Sequence, residues 1–472
     1  MVDDTQARSH LNPPAPAGGM GALLRLALPV VTVQVGMMTM GVVDTLMVGR
    51  VSPAALAAVA LGNLYFFAFA VFGLGVISAL DPIVSQAVGA GDDPAVTRGL
   101  QRGLVLAVAL SIPVGIVHLL AGPVLALVRQ PAEVVPLAAG YALATIPGIL
   151  PFFAFTVFRQ TLQAMGHLRA VVVTIVLANA ANIVFNDVLI FGRFGFPPLG
   201  AVGSAWASTL SRWLMAGLLL LAARRSLLPH LHPWRRDAFQ LGPLARMMRL
   251  GAPIGGQMQL EFGAFGGVAL LMGWLGTEAV AGHQIAINLA SLTFMVPLGL
   301  GMAAAVLVGQ AVGRNDPEGA RRTARGALLA GASFMTATAI LFLGIPGVLA
   351  RFYTADPAVL VVAVALLPLA GIFQVFDGIQ AVSIGILRGI GDTSGPFVVN
   401  ILGFWCAGIP LSLLLGFGLG QGPVGLWWGL VVGLGIVAVI LVLRVRRQLR
   451  GSLERVIIDA TPGPELHAGV LA

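Results

Sequence analysis

Four carboxylates interrupt stretches of sequence that are long and apolar enough to cross a lipid bilayer. They are Asp44, Asp187, Glu261 and Asp377. An ionised carboxylate near the middle of a membrane costs at least about 2.5 kcal/mol, so each group needs a bound cation, a proton or hydrogen-bond donors. A fifth acid, Asp81, lies closer to the end of its stretch, within reach of the membrane interface. Acids in this setting predict chemistry in which a proton or a metal cation binds and leaves.

Two of these acids are expected at matching depths in the membrane. Glu261 follows Arg249 by 12 residues, and Asp377 precedes Arg388 by 11 residues. These spacings correspond to about 18 Å and about 16 Å along a helix. Two carboxylates that share a low-dielectric site cannot both stay charged without a cation, so the pair predicts a site that exchanges H⁺ or Na⁺. The alternative is two separate acids, each capped by a helix or neutralised.

Asp44 is the acid for which the sequence predicts amide side chains at a similar depth in the membrane. It lies 19 residues beyond Arg25, and Asn186 lies 17 residues beyond Arg169, or about 28 Å and about 25 Å along their helices. Asn182 and Asn186 are four residues apart and therefore share a helix face. Amides beside a carboxylate could ligate Na⁺ or hydrogen-bond to a protonated acid, although asparagine also links helices in membrane bundles.

The remaining polar residues inside apolar stretches are weaker candidates for a functional site. Asp187 is offset by one position from the asparagine face. His283 and Asn288 lie in one stretch as supporting polar residues; the histidine could titrate near neutral pH, but hydrogen bonding between helices explains both equally well. Arg212 is the one basic residue that we place deep in a span, where it should pair with an acid or extend toward the interface.

Membrane-spanning helices must position these residues. The chain has 472 residues, of which 58% are hydrophobic and 10% charged, whereas a soluble domain carries about 25% charged residues. Spans of about 20 apolar residues are needed, and we find twelve. The predicted spans begin near Leu23, Ala55, Gly103, Pro136, Ala170, Ala201, Leu250, Val280, Arg325, Ala358, Phe397 and Val424. The runs do not alternate as β-barrel strands would, so we predict an all-α polytopic membrane protein.

The second half of the sequence repeats the first. The tetrapeptide Gln-Ala-Val-Gly at positions 86–89 returns at 310–313, and the pattern Gly-x-Val-Gly-x-x-Trp at 200–206 returns at 422–428. A period of more than 200 residues indicates two domain-sized copies. We therefore predict a transporter with two parallel six-helix lobes, related by an axis along the membrane normal, with the transport path between them.

The distribution of arginine predicts the orientation. The chain has no lysine, and 22 of its 27 arginines fall in the termini and the even-numbered loops, so both termini should be cytoplasmic. The predicted parts are an N-terminal tail at 1–20, the N-lobe at 21–223, a cytoplasmic linker at 224–246, the C-lobe at 247–447 and a cytoplasmic tail at 448–472.

We expect no cleaved signal peptide and no order beyond Arg450. The single Cys406 excludes an intrachain disulfide.

Several segments resemble the MATE (multidrug and toxic compound extrusion) family. They are Val-Asp-Thr-Leu-Met-Val-Gly at 43–49, Gln-Ala-Val-Gly-Ala-Gly-Asp at 86–92, Pro253-Ile254 followed by Glu261, Ala-Gly-His-Gln-Ile at 281–285, and the segment from Asp377 to 393. The resemblance covers about residues 20 to 450, with the motifs in the same order and spacing. It implies twelve helices in two lobes, alternating access, and export of organic cations and other drugs in exchange for Na⁺ or H⁺.

The resemblance also implies roles for the acids. In the NorM-like branch, acids on helices seven and ten form the cation site, and Glu261 and Asp377 stand at those positions. Asp44 stands where the family has an acid implicated in coupling, and Asn182 and Asn186 stand where polar residues of helix five assist it.

One position departs from the family pattern. NorM-like proteins often have a tyrosine four residues before the helix-ten acid, where this chain has Phe373. Phenylalanine offers no oxygen ligand. The departure weakens the case for Na⁺ at Glu261 and Asp377 and leaves H⁺ open.

The sequence leaves a few alternatives to a drug antiporter. A lipid-linked precursor flippase or a narrow-specificity metabolite exporter of the same superfamily is the nearest alternative, although flippases tend to carry extra helices and a basic cavity. A channel would differ in showing no uphill transport. We find no nucleophile–base pattern or metal-ligand cluster of an enzyme, and the arginines do not form one basic patch for nucleic acid. We therefore expect a monomer in the cytoplasmic (inner) membrane, with no cofactor beyond the coupling ion, that binds amphiphilic drugs and organic cations.

Overall fold

Twelve long helices make up most of the computed structural model, which describes residues 19–459. Each is long and apolar enough to cross a membrane. We number them α1 Met20–Val48, α2 Pro53–Gly89, α3 Asp93–Leu119, α4 Val135–Ala164, α5 Leu168–Phe191, α6 Gly200–Ala222, α7 Leu241–Leu275, α8 Thr277–Gly313, α9 Pro317–Gly344, α10 Pro357–Ile390, α11 Ser394–Gly418 and α12 Gly422–Gln448. The predicted all-α, twelve-helix architecture is confirmed. The predicted tail at 1–20 falls almost wholly outside the described residues.

Some helices depart from regular α geometry or are joined by shorter ones. A break at Ser78 and Ala79 divides α2, a 3₁₀ turn at Ile146–Gly148 interrupts α4, and α11 contains π-helical turns. Short helices cover Ala121–Leu127, Arg224–Leu231 and Pro346–Arg351. The helix Arg224–Leu231, within the segment that we expect to link the lobes, packs against α3.

Three helices begin earlier than the apolar pattern predicts, by about two to three turns. They are α3, α7 and α9, which start at Asp93, Leu241 and Pro317. The Asp92 side chain accepts a hydrogen bond from a backbone N–H in the first turn of α3, and Asp316 does the same for α9. Each capping aspartate is followed by a proline in the first turn of its helix, and a proline there favours helix initiation. Helix formation therefore begins in the polar loop, where hydropathy gives no signal.

The two copies of Gln-Ala-Val-Gly hold the two halves of the chain together. They lie on the side of the bundle where α1 begins and α12 ends, which we call the terminal side. Gln86 Nε2 donates to the carbonyl oxygen of Gly389 at 2.9 Å. Gln310 Nε2 donates to the carbonyl oxygen of Ala164 at 2.8 Å. Each repeated glutamine thus binds the end of a helix in the opposite half, so the repeat builds a closure with approximate twofold symmetry.

The glycine of each repeat allows the backbones to cross at this closure. A Cβ atom on Gly89 would collide with the backbone carbonyl of Gln310, and one on Gly313 would collide with that of Gln86. Neither collision involves a flexible side chain that could move away. The terminal side is therefore closed by direct backbone contact between α2 and α8.

Asp81 lies within this closure and not at the membrane interface, as its position in the sequence had led us to expect. It is 2% exposed, and its Oδ2 atom lies 3.3 Å from Nη1 of Arg388 on α10. Because the break in α2 turns the short segment after Ala79 toward the other half, the carboxylate faces protein. The ion pair joins the two halves.

The segment 451–459 after α12, which we call the tail segment, crosses from the second half onto the first. Our expectation that order ends at Arg450 is wrong for these residues. Nη2 of Arg455 lies 2.8 Å from Oδ2 of Asp92, and the backbone N–H of Val456 donates to Gln86 at 2.7 Å. The Asp459 carboxylate lies 2.6 Å from Arg98 and 2.7 Å from Arg102. These polar contacts act together with apolar packing, since Ile458 is buried in the core.

Replacing Gly89 by alanine should open the terminal side. The added methyl group cannot occupy the space of the Gln310 carbonyl, so α2 and α8 must separate. We expect a longer distance, measured by double electron–electron resonance, between spin labels at Arg169→Cys and Glu318→Cys in a Cys406→Ser background.

Gly115→Ala is the matched control for this helix substitution. Its Cβ would make only an ordinary contact, at 3.7 Å from the Ile146 side chain. An unchanged distance distribution in Gly89→Ala, or the same lengthening in both variants, would contradict the proposed closure.

The tail segment should stay attached across the physiological pH range. Burial alone would raise the pKa of Asp92, but the hydrogen bonds from Arg455 and Ala95 and the charges of Arg455 and Arg98 lower the pKa below its ordinary value. Burial alone would also raise the pKa of Asp459, but the hydrogen bonds and charges of Arg102 and Arg98 outweigh it and lower the pKa below its ordinary value. Because their pKa values are lowered, these carboxylates stabilise the attached state at every pH above the ordinary pKa of aspartate. This stabilisation is lost only as the pH falls through the lowered pKa values.

We expect a spin label at Ile457→Cys to have equal mobility at about pH 8 and about pH 5.5, since both values lie above the ordinary aspartate pKa. Arg455→Gln should increase that mobility, because it leaves Asp92 without its partner. Arg446→Gln, at an exposed position near the end of α12, serves as the control. A label that becomes mobile at the lower pH in the otherwise unchanged protein would refute the assignment.

Candidate functional site

Asp44 lies on α1 in a buried polar site formed with α5 and α6. Asn186 Nδ2 donates to Oδ1 of Asp44 at 2.6 Å, and the Ser208 hydroxyl donates to Oδ2 at 2.6 Å. The Asn186 amide also donates to Oδ1 of Asn182 at 3.1 Å. The two asparagines share a face, as their spacing predicts. Each carboxylate oxygen therefore has a donor, an arrangement that stabilises the ionised form.

Two residues of this region were not predicted from the sequence. Ser208 was one serine among several in α6, and only its contact with Asp44 distinguishes it. The Tyr141 hydroxyl donates to Asn63 Oδ1 at 3.0 Å, and the tyrosine lies close enough to Asp44 for electrostatic interaction. Asp187 is not part of the site, because it pairs with Arg193 at 3.2 Å near the opposite side of the bundle.

Glu261 of α7 and Asp377 of α10 form a second site. Gln257 Nε2 donates to Oε2 of Glu261 at 3.0 Å, and Gln380 Nε2 donates to Oε1 at 3.1 Å. Since Gln380 stands three residues after Asp377 on α10, its bond to Glu261 brings the two acids into one region. Asp377 lies within electrostatic range of Glu261. The matching depths that the sequence predicts therefore correspond to a shared site.

The two acids of this site have unequal surroundings. Both carboxylate oxygens of Glu261 accept a hydrogen bond from an amide. Oδ1 of Asp377 is buried and accepts none from any residue in the range 19–459, and the same holds for Oε1 of Gln380. The amide donors thus stabilise charge on Glu261, and the two unpartnered oxygens are available to a proton donor or a cation.

Aromatic rings pack against the helix turn before Asp377. Phe373 is fully buried, with its ring centroid 5.7 Å from that of Trp427 and 5.8 Å from that of Phe265. Trp427 Nε1 donates to Nδ1 of His283 at 3.2 Å. The predicted supporting residue His283 therefore contacts Trp427, and it makes no hydrogen bond to either acid in the described part of the chain.

Asn288, the other predicted supporting residue of α8, lies away from this contact. Its Oδ1 accepts a hydrogen bond from Gln284 at 3.2 Å within the same helix. No cluster of three or more His, Cys, Asp or Glu side chains suited to a metal ion occurs within residues 19–459. A cation held by Glu261 and Asp377 would depend on these two carboxylates and on neutral oxygens such as that of Gln380.

Arg212 neither pairs with an acid nor extends to the interface, in contrast to both expectations. Its guanidinium carbon lies 3.9 Å from the ring centroid of Phe66 and 5.1 Å from that of Phe152. This contact could not be predicted from the sequence, because the two rings belong to other helices. Arg212 remains within electrostatic range of Asp44.

An apolar cavity lies between α2, α3 and α7. Its volume is about 460 Å³, and Phe69, Phe72, Leu110, Val114 and Gln259 are among its lining residues. Cavities of several hundred Å³ with mostly apolar and aromatic walls are typical of sites for drug-sized molecules.

Comparison with known proteins agrees with this architecture. The family model MatE matches residues 29–188 and 253–414. The probable multidrug resistance protein NorM of Mesorhizobium japonicum is 38% identical over 442 residues, which are 91% of this chain and 94% of the relative. The multidrug resistance protein MdtK of Edwardsiella ictaluri is 34% identical over 437 residues, covering 90% of this chain and 94% of the relative.

A solved structure supports the same assignment. The crystal structure of the eukaryotic MATE transporter AtDTX14 aligns with a TM-score of 0.84 at 25% identity, covering 93% of this chain and 98% of that one. The family match covers more than half of the chain, in two segments that correspond to the two repeats. This chain is therefore a multi-pass membrane protein and belongs to the MATE family of transporters.

Proposed function

We propose that this protein exports drugs and organic cations across the cytoplasmic membrane in exchange for an inward-moving cation. The observation that carries the proposal is the pair of Glu261 and Asp377, joined through Gln380, in which a buried oxygen of Asp377 has no hydrogen-bond partner among the described residues. The names of the relatives as multidrug resistance proteins support the class of substrate. We propose that the chain acts as a monomer.

The asymmetry of the acid pair assigns a role to each acid. Glu261 receives two amide donors, which favour its charged form. Asp377 faces that charge and lacks a donor on Oδ1, so a bound cation would compensate its charge and a bound proton would remove it. Asp377 is the group that binds and releases the coupling ion, and Glu261 supplies the negative potential that attracts it.

Of the two coupling ions, the proton fits the surroundings better. A metal cation is usually held by several oxygen ligands, whereas a proton needs one acceptor. Both oxygens of Glu261 are already engaged by Gln257 and Gln380, and Phe373 stands where an additional oxygen would be expected. Na⁺ bound between the two carboxylates is the alternative.

Transport requires that the closure at the terminal side open and close. We assign the arginine-rich terminal side to the cytoplasm, so the described state is closed toward the cytoplasm by Gln86, Gln310 and the ion pair of Asp81 with Arg388. The coupling ion must bind the two states with different affinity, since otherwise it would shift no equilibrium. Protonation of Asp377 favours the state that releases substrate outside.

Asp377→Asn should abolish coupled export while leaving folding intact. The amide is isosteric with the carboxyl group but cannot take up and release a proton. We expect ethidium efflux from cells, driven by a pH gradient, to fall to the level of cells that lack the protein. Expression should be unchanged, because Oδ1 of Asp377 makes no hydrogen bond that the variant would lose.

Asp187→Asn is the matched control, since this carboxylate lies on the same kind of membrane helix but outside both sites. It should retain efflux. Wild-type efflux from a well-expressed Asp377→Asn variant would refute the role of Asp377.

A further inference from the structure

Arg212 of α6 is a partly buried charge that the proposed ion exchange does not use. Its guanidinium lies within cation–π range of two aromatic faces, at 3.9 Å from the centroid of Phe66 on α2 and 5.1 Å from that of Phe152 on α4. Its Nη1 atom is buried without a hydrogen-bond partner. No carboxylate among the described residues lies within ion-pair distance of it. The charge is therefore held chiefly by the two rings.

The local structure of α4 directs Arg212 to this position. A Cβ atom on Gly148, at the end of the 3₁₀ turn, would lie 3.2 Å from Cδ of Arg212 and 3.0 Å from Oγ1 of Thr209. Thr209 and Trp213 flank the arginine and donate hydrogen bonds to α4 carbonyl oxygens at 2.8 Å and 3.0 Å. Because α6 is fixed on both sides of Arg212 and Gly148 has no side chain, the arginine stem passes over the turn toward the rings.

The same helix face connects Arg212 to the polar site of the first half. Ser208, which donates to Asp44 at 2.6 Å, precedes Arg212 by four residues, or about 6 Å along the helix. Arg212 interacts electrostatically with Asp44 and with Tyr141. The remaining titratable neighbour is His118 of α3, whose ring lies edge-on to Phe66 at a centroid distance of 5.6 Å.

An organic cation entering this region would compete with Arg212 for the aromatic faces and for the carboxylate. Aromatic faces and a carboxylate are the groups that attract such cations. Here the faces of Phe66 and Phe152 already hold a guanidinium, and the charge of Asp44 is balanced by the same arginine and by two hydrogen-bond donors. Repulsion from Arg212 adds to the cost of entry.

We propose that Arg212 is a specificity-determining residue: a tethered cation that occupies the aromatic site beside Asp44 and excludes organic cations from that site. This inference rests on the proposed export of organic cations. It leaves the acid pair of Glu261 and Asp377 as the site of exchange, where no arginine within residues 19–459 stacks on an aromatic ring.

Equilibrium binding of tetraphenylphosphonium to the purified full-length protein tests the proposal, because this cation is aromatic and does not titrate. Arg212→Met keeps an apolar stem of similar length and removes the charge. We expect it to bind tetraphenylphosphonium about tenfold more tightly, or at one additional site, as one cation–π contact with a partly compensated carboxylate would give. Arg212→Lys should bind as the unmodified protein does.

Two further variants separate this effect from a general loosening of the helices. Adding Phe66→Leu or Asp44→Asn to Arg212→Met should remove the gain, since each deletes part of the vacated site. If Arg212→Met does not yield monodisperse protein, Arg212→Gln tests the same loss of charge. Unchanged affinity and stoichiometry in the folded neutral variant, or a gain that persists without Asp44 and Phe66, would overturn the proposal.

The binding measurement requires no ion gradient, so its outcome is independent of coupling. A protein that shows the expected gain but no efflux under any gradient would contradict the proposed function and leave the role of Arg212 standing. Normal efflux without a gain in tetraphenylphosphonium binding by Arg212→Met would contradict the role of Arg212 and leave the proposed function standing.

Discussion

A carboxylate inside an apolar helix bundle must be compensated, and the two halves of this protein compensate theirs differently. In the first half, Asp44 has a donor on each oxygen and a nearby guanidinium, so its charge is balanced by fixed groups. In the second half, the donors are directed to Glu261, and Asp377 keeps an unpartnered oxygen. The acid of the first half thus has a fixed partner on each oxygen, whereas Asp377 in the second half has a buried oxygen without one. The repeated sequence thus gives two related frameworks with unequal chemistry.

The closure between the halves is the part of the structure in which the repeat remains most nearly symmetric. Both copies of Gln-Ala-Val-Gly perform the same task, with the glutamine binding the opposite half and the glycine permitting backbone contact. The ion pair of Asp81 and Arg388 and the tail segment have no such symmetric counterpart among the contacts described above. Opening toward the terminal side therefore requires breaking a symmetric core of contacts together with these additional links. An ion that binds Asp377 can drive this change only by favouring one arrangement of the halves over the other.

The sequence was most informative where a residue type is rarely tolerated in lipid. The acids and the paired asparagines stand out because each is costly in an apolar span, and helical rise predicted matching depths for Asp44 and Asn186 and for Glu261 and Asp377. Ser208, Tyr141, Gln257 and Gln380 could not be identified in this way, because hydroxyls and amides are cheaper to bury and depth along a helix does not tell which neighbour a side chain faces. The positions of Arg212 and Asp81 depended on a 3₁₀ turn and a helix break, which apolar patterns do not record. The order of the tail segment depended on ion pairs with residues more than 300 positions away in the chain.

The central claim is that a cation gradient drives export through an acid pair in the second half. It is tested most directly with purified protein in liposomes, where ethidium movement is followed first under a pH gradient alone and then under a Na⁺ gradient alone. The account predicts accumulation of ethidium against its own gradient when pH is the driving force, and little movement with Na⁺. Movement driven only by Na⁺ would contradict the assignment of the proton, and equal movement in the absence of either gradient would contradict coupled export itself.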